Sequence, residues 1–192
     1  LLCGSRMPEA QRNLQRLVRS AMALPGGVPM ALLVAVGAQP DAEALSNSLE
    51  QLGFRPSLPP SDQLGAEACW VKGACLVLIG RGCFDQWAGW AEAGIATAGT
   101  ATEQLVGLGI PALSLPGPGP QFKPGFARRQ SRLLGGAVRP CSDESELTRR
   151  LEFLLDDPTL RSHLGRIGKQ RMGPAGGSDQ LARLILDRFN GY

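Results

Sequence analysis

The length, composition and charge of the chain limit its fold and function. Its 192 residues are 43% hydrophobic and 19% charged, which supplies enough apolar material for one α/β domain and too few charges for a disordered chain. The formal net charge of +3 permits an anionic ligand but is too small to indicate nucleic-acid binding. The sequence shows no transmembrane-length apolar run and no signal peptide, so we expect a cytoplasmic protein.

In the first half of the chain, predicted strands alternate with predicted helices. Apolar runs of strand length predict strands at 1–3, 30–36, 69–72 and 74–79. Helical spacing of apolar residues predicts helices at 8–24, 42–52 and about 84–92. Asp41 is expected to cap the second of these helices, and a proline-rich connection follows at 55–61.

The second half continues the alternation. Strands are predicted at 94–98, 112–115 and 137–139, and helices at 103–108, 125–134 and 179–189. Two more helices are predicted between the last two, one capped by Ser142 or Asp143 and ending at Leu155, the other opened by Asp157 or Thr159 and ending at about Arg171. The alternation predicts a Rossmann-like, doubly wound parallel sheet with helices on both faces, whose ligand lies beyond the carboxyl ends of the strands.

Around Gly99, a predicted strand turns directly into a helix. The strand breaks at this glycine, and Thr100-Ala101-Thr102 leads into the helix. Free N–H groups at such a helix start suit a phosphate, and the two threonine hydroxyls can cap the helix or bind a ligand. The alternative is a capped connection with no ligand.

A second glycine-led turn, Gly4-Ser5-Arg6, follows the first strand and belongs to the same sheet edge. A guanidinium can hold a diphosphate at two points, although Arg6 is also what an ordinary surface turn would carry. Neither Gly80-Arg81-Gly82 nor Gly117-Pro118-Gly119 continues to the third glycine of the dinucleotide fingerprint. This argues against an NAD-type domain.

These two turns resemble motifs of one enzyme family. LLCGSRMPEAQRNL is similar to the LLPGSRxxE opening of the C-terminal domain of lipid-A-disaccharide synthase, and AGTATEQLVGLGIPALSL is similar to its SGTATLEAxLxGxPxVV segment. The second segment also has a counterpart in the enzyme that adds N-acetylglucosamine to undecaprenyl-linked muramyl-pentapeptide. The run from Gln121 to Gly135, with GTATEQ, resembles lipid-A-disaccharide synthase-related proteins.

The resemblance implies the C-terminal, nucleotide-sugar-binding half of a GT-B glycosyltransferase. Residues 1–192 would form one domain that binds a UDP-sugar of the UDP-N-acetylglucosamine type, with no metal, for transfer to a lipid-linked or glycolipid acceptor. An acceptor domain with the general base is expected upstream of this sequence, so the fragment alone should be inactive. Contact with the inner face of a membrane, through the acceptor, is also expected.

The resemblance also assigns roles to individual residues. Contacts with the diphosphate are expected from Gly4, Ser5, Arg6, Gly99, Thr100, Ala101 and Thr102. The uracil is expected against backbone groups of Gly82, Cys83 and Phe84. Gln121 and Gln130 are candidates for contact with the donor sugar. Each also has an alternative without a ligand: Gln121 as a solvated amide in a loop, and Gln130 as a polar residue on a packed helix face.

The ribose position departs from the family pattern. The family places a glutamate there, and counting back from Pro111 by the family's spacing reaches Gln104. An amide accepts a hydrogen bond from a hydroxyl more weakly than a carboxylate does. Glu103 lies about 100° around the helix from Gln104. Its carboxylate either replaces the missing contact with the ribose or only interacts favourably with the helix dipole.

Aromatic and basic residues outside these motifs have mainly structural interpretations. Phe126, Trp87 and Trp90 are predicted to lie in the core. The arginines of the helix at 125–134 form a basic face, which is either solvated surface or a docking surface for anionic headgroups; they are Arg128, Arg129 and Arg132.

Metal and thiol chemistry find little support in the sequence. The five cysteines form no CxxC pair and fit reduced, partly buried thiols, and the single histidine, His163, leaves no zinc-ligand spacing. A catalytic Cys–His pair remains a minor alternative. Two other functions stay open. One is a UDP-N-acetylglucosamine 2-epimerase, which would need several carboxylates and histidine in the cleft. The other is a non-catalytic nucleotide-binding module, in which Gln104 marks a degraded site.

Overall fold

The computed structural model describes residues 1–117, 119, 122–174 and 176–190. The helices in these ranges are α1 (Glu9–Met22), α2 (Ala42–Gln51), α3 (Phe84–Ala88), α4 (Thr100–Gly107), α5 (Pro124–Leu133), α6 (Glu144–Asp156), α7 (Pro158–Met172) and α8 (Gly177–Asn190). The strands are β1 (Met30–Val36), β2 (Arg55–Ser57), β3 (Ala68–Lys72), β4 (Cys75–Arg81), β5 (Gly94–Ala96), β6 (Ala112–Ser114) and β7 (Val138–Pro140). The protein is an α/β structure compatible with a Rossmann-like fold.

The first residues of the chain lie between two sheets. One sheet has the strand order β1-β4-β3-β2, and the other is the parallel sheet β5-β6-β7. Leu2 forms a parallel bridge with Ala96 of β5, and the amino group of Leu1 donates to the carbonyl oxygen of Leu33 of β1 at 2.6 Å. The segment 1–3, predicted as a strand, therefore connects the two sheets at their centre.

The prediction of an entirely parallel sheet is wrong at one edge. β1 and β4 are parallel, but β3 runs antiparallel to β4, and β2 runs antiparallel to β3. Only Gly73 and Ala74 separate β3 from β4, and Gly73 has a φ of +57°. Two residues can close an antiparallel hairpin, whereas a parallel pair needs a crossover of a dozen residues or more. The 55–61 connection contributes the edge strand β2, where Pro56 is tolerated.

One face of the combined sheet carries the main core. Leu14 and Leu17 of α1, Leu45 of α2 and Leu147 of α6 are fully buried in the cluster that contains Val34 of β1. Burial of such side chains contributes about 1.5–3 kcal/mol each. This layer holds α1, and therefore the turn before it, in a fixed position against the sheet.

The sheet also borders an apolar hollow of about 690 Å³. Its lining includes Leu33 and Leu76 from the sheet, Phe84 and Leu105 from α3 and α4, and Leu151 from α6. Within the described chain, no helix is both long and apolar enough to cross a membrane.

The helix after β4 is shorter than predicted. It ends at Ala88. Beyond this end, the N–H groups of Trp90 and Ala91 donate to the carbonyl oxygens of Trp87 and Ala88, three residues earlier in each case. Trp87 is buried as predicted, with Nε1 donating to the Leu64 carbonyl at 2.9 Å. The prediction for Trp90 is wrong, because this side chain lies beyond the helix end and is 51% exposed.

Candidate functional site

The two glycine-led turns are neighbours at the carboxyl edge of the sheet. Thr97 donates its N–H to the Leu2 carbonyl at 2.8 Å, and a Cβ on Gly4 would lie 3.7 Å from the Thr97 carbonyl oxygen. From the segment 1–3 the chain passes through α1 to β1 on one side, and from β5 it passes through α4 to β6 on the other. Such a reversal of strand order leaves a crevice where α/β proteins bind ligands.

A polar cavity of about 280 Å³ opens at this point. Its lining includes Gly4, Ser5, Arg6, Arg12 and Thr97. Ser5 and both arginines are exposed, so their polar groups remain in contact with solvent. Gly4 has a φ of +85°, a conformation that favours glycine and that turns the chain from the strand into the cavity wall.

Neither α1 nor α4 has a side-chain cap at its start among the described residues. At α4, the N–H groups of Thr102 and Glu103 donate to the Gly99 carbonyl at 3.0 and 3.2 Å. The Thr102 side chain is buried, and its hydroxyl donates to the Ala98 carbonyl at 2.7 Å, whereas Thr100 is exposed. Thr100 is therefore better placed than Thr102 to offer a hydroxyl to a ligand.

Gln130 connects α5 to the α4 turn. Its Nε2 donates to the Gly99 carbonyl and to Glu103 Oε1, both at 3.1 Å, and its side chain is 2% exposed. This places Gln130 on a packed helix face, the alternative that its sequence position left open. Its Oε1 is buried without a partner among the described residues.

Two phenylalanines connect the α4 turn with the polar cavity. Phe126, predicted to lie in the core, is 40% exposed, and a Cβ on Gly99 would lie 3.4 Å from its Cζ. Its ring packs edge-on against Phe122 at a centroid distance of 5.5 Å, and Phe122 lines the cavity. The Gly4–Arg6 turn therefore lines the cavity, whereas residues 99–102 do not and are separated from it by this aromatic pair.

The structure distinguishes the two neighbouring candidates for the ribose. Gln104 is exposed and makes no side-chain hydrogen bond within the described residues, whereas Glu103 is half-buried with its carboxylate held by Gln130. A carboxylate fixed by a donor on a rigid helix is better oriented than a free amide. The geometry thus favours Glu103 over Gln104 as a hydroxyl acceptor.

The predicted base loop lies at the end of β4, separated from segment 1–3 by β1. The N–H of Gly82 donates to the Val36 carbonyl at 3.2 Å, so it is already used within the sheet. Cys83 is buried with its Sγ 3.2 Å from the Gly65 carbonyl, and Phe84 lines the apolar hollow. These three residues share the sheet edge with the polar cavity but do not line it.

Glu9 and Asn13 line the cavity and were not predicted. They lie one turn apart on α1, beside Arg12. Asn13 is 8% exposed, and its Nδ2 donates to the Cys3 carbonyl at 3.1 Å. The available sequence signal was a polar pair at i and i+4 next to the buried stripe of an amphipathic helix.

The remaining predicted residues lie away from the cavity or outside the described chain. Gln121 falls outside the described residues. Arg128, Arg129 and Arg132 are exposed on α5 and form no ion pair within the described part of the protein. His163 is exposed on α7 and does not line the polar cavity.

The cysteines are unsuited to nucleophilic chemistry. All five are buried, and burial raises the pKa of Cys3 and Cys75 to about 11 and that of Cys141 to about 12. The thiolate is the nucleophilic form, so these thiols are unreactive near neutral pH. The described residues also contain no cluster of three or more His, Cys, Asp or Glu side chains that could hold a metal ion.

The site combines two exposed arginines with a polar cavity at a reversal of strand order, and near it lie two helix starts that have no side-chain cap among the described residues. That combination suits an anionic ligand with several phosphate oxygens. No protein-family model and no curated protein matches this chain. The functional assignment therefore depends on the geometry of the site and on the motifs that form it.

Proposed function

We propose that this chain is the donor-binding domain of a GT-B glycosyltransferase, similar to lipid-A-disaccharide synthase, that binds a UDP-sugar of the UDP-N-acetylglucosamine type. The observation that carries the proposal is the polar cavity between the Gly4–Arg6 turn and Thr97, which brings Arg6 and Arg12 to the start of α1. This is the position at which an α/β sheet binds a nucleotide diphosphate.

The arrangement suits the leaving group of a glycosyl transfer. When the sugar departs, negative charge increases on the diphosphate, and fixed donors aimed at that charge lower the barrier. Arg6 and Arg12 supply guanidinium groups, and the first turns of α1 and α4 supply N–H groups and positive dipole ends. The proposal assigns donor binding and leaving-group stabilisation to this chain.

The exposed arginines of α5 support a lipid-linked acceptor. Arg128, Arg129 and Arg132 project from a helix whose opposite face is packed against the domain. Each basic residue near an anionic membrane surface contributes about 1 kcal/mol of attraction. A glycolipid acceptor in such a membrane would thereby be brought near the donor site.

Calorimetric titration of UDP tests donor binding. We expect saturable binding to the unchanged protein and at least about tenfold weaker binding after Arg6→Ala, since charge-assisted hydrogen bonds contribute more than neutral ones. Arg19→Ala is the matched control, because Arg19 is an exposed arginine in the last turn of α1, at the far end of the helix from the Arg6 turn. Equal affinities for all three proteins, or no binding at millimolar UDP, would contradict the proposal.

A further inference from the structure

The polar cavity contains acceptor groups as well as cationic groups. Glu9 and Asn13 form its α1 wall, while Arg6 and Arg12 lie beside them. A site built only for phosphate would contain donors, because phosphate oxygens accept hydrogen bonds and repel carboxylates. The mixed lining indicates that the bound molecule carries hydroxyl donors next to its phosphates.

Asn13 lines the cavity with an amide group whose oxygen can accept a hydrogen bond. Its Nδ2 donates to the Cys3 carbonyl, which fixes the orientation of the amide because a carbonyl can only accept. Its Oδ1 accepts no hydrogen bond from the described residues and lies 3.3 Å from where a Cβ on Gly117 would be. A 92% buried side chain is thus held at the cavity wall with an acceptor that has no partner among the described residues.

Glu9 presents a second acceptor in the same cavity. It is half-buried and forms no ion pair within the described chain, even though two arginines line the same cavity. A Cβ on Gly119 would lie 2.2 Å from Glu9 Oε1, so the carboxylate lies directly against the backbone of that glycine. The carboxylate oxygens of Glu9 can therefore accept hydrogen bonds from a molecule in the cavity.

We infer that Glu9 and Asn13 form a hydroxyl-binding subsite for the sugar and make the cavity select a glycosyl diphosphate over a free nucleoside diphosphate. This inference depends on the proposed function, since it assumes that the diphosphate binds at Arg6. A free terminal phosphate carries extra negative charge, which Glu9 repels. A sugar attached to that phosphate removes the extra charge and offers hydroxyl groups to Glu9 and to Asn13 Oδ1.

Calorimetry with UDP-N-acetylglucosamine and with UDP tests this selectivity. The unchanged protein should bind the UDP-sugar at least about tenfold more tightly, and Glu9→Gln should reduce that preference about tenfold, chiefly by tightening UDP binding. Glu43→Gln is the matched control, because Glu43 is an exposed acid in the first turn of α2. An unchanged preference in Glu9→Gln, with both molecules still binding, overturns this inference alone.

Deoxy analogues of UDP-N-acetylglucosamine provide a second test that needs no variant. Loss of the hydroxyl that meets Glu9 should weaken binding at least about tenfold, because a polar group in the site is left unpaired. Equal binding of every deoxy analogue and the parent overturns the subsite. Absence of binding by both UDP and UDP-N-acetylglucosamine overturns the proposed function itself and this inference with it.

Discussion

Gln130 donates Nε2 to the carbonyl oxygen of Gly99 at 3.1 Å and so connects α5 to the first turn of α4. The same carbonyl accepts the N–H groups of Thr102 and Glu103. Gly99 has φ −90° and ψ −87°, outside the helical region, so an external contact is needed to define its orientation. The candidate phosphate turn is therefore positioned by a side chain that is 31 residues away in the chain.

Removal of the Gln130 side-chain hydrogen bonds should destabilise the protein. Gln130→Ala eliminates two hydrogen bonds from a buried side chain, and we expect the free energy of unfolding to fall by about 1–3 kcal/mol. Urea unfolding measures the change. Gln104→Ala, at an exposed amide on α4, should stay within about 0.5 kcal/mol of the unchanged protein. Equal stability of the two variants would show that the Gln130 hydrogen bonds contribute nothing to the free energy of unfolding.

Much of the helix framework follows from local chemistry visible in the sequence. Asp41, Asp143 and Asp157 each accept an N–H bond at the start of α2, α6 and α7, as side chains of this type do at N-caps. Ser142 remained an alternative to Asp143, and only the structure shows which of the two accepts the bond from Glu146. Short-range signals of this kind need no knowledge of the tertiary fold.

The antiparallel β3–β4 pair follows from a local feature, the two-residue connection, but the apolar runs alone do not distinguish parallel from antiparallel strands. Features that depend on distant contacts were not predictable from the sequence. The cavity role of Asn13 depends on its packing against Cys3, which no local pattern reveals. The difference between Glu103 and Gln104 depends on Gln130 in a later helix.

The close packing of α7 against the turn that follows α4 depends on a glycine. A Cβ on Gly165 would lie 2.1 Å from the Gly109 carbonyl oxygen, and backbone atoms cannot move away cheaply. Gly165→Ala should therefore lower the free energy of unfolding by about 3 kcal/mol, measured by urea denaturation. In contrast, Gly125→Ala, on α5 with open space around its Cβ, should be neutral or stabilising by up to about 1 kcal/mol. A neutral Gly165→Ala would contradict the described contact.

Glu146 makes stability depend on acidity. Hydrogen bonds from the Ser142 N–H, the Ser142 hydroxyl and Arg150 lower the pKa of Glu146 from 4.5 to about 2. The pKa of Glu146 is lower in the folded state than in the unfolded state. The stability that its ionised carboxylate contributes is therefore fully present above about pH 4.5 and is lost as the pH falls through 2. Glu146→Gln should therefore be less stable than the unchanged protein at pH 7, and the difference should shrink below pH 4.5.

Urea midpoints measured between pH 7 and the lowest pH at which folding is reversible provide this comparison. Glu50→Gln is a suitable control, since Glu50 is an exposed carboxylate near the end of α2 that makes no side-chain hydrogen bond within the described residues. A stability difference for Glu146→Gln that stays constant down to low pH would show that the carboxylate is not held as described.

A two-dimensional ¹H–¹⁵N NMR titration with UDP tests the central claim most directly. If one diphosphate contacts both helix starts, the amide signals of Ser5, Arg6, Thr100 and Ala101 should shift together and saturate with a single dissociation constant. The account predicts this joint response and its loss in Arg6→Ala. Shifts confined to one of the two turns, or to residues away from both, would contradict it.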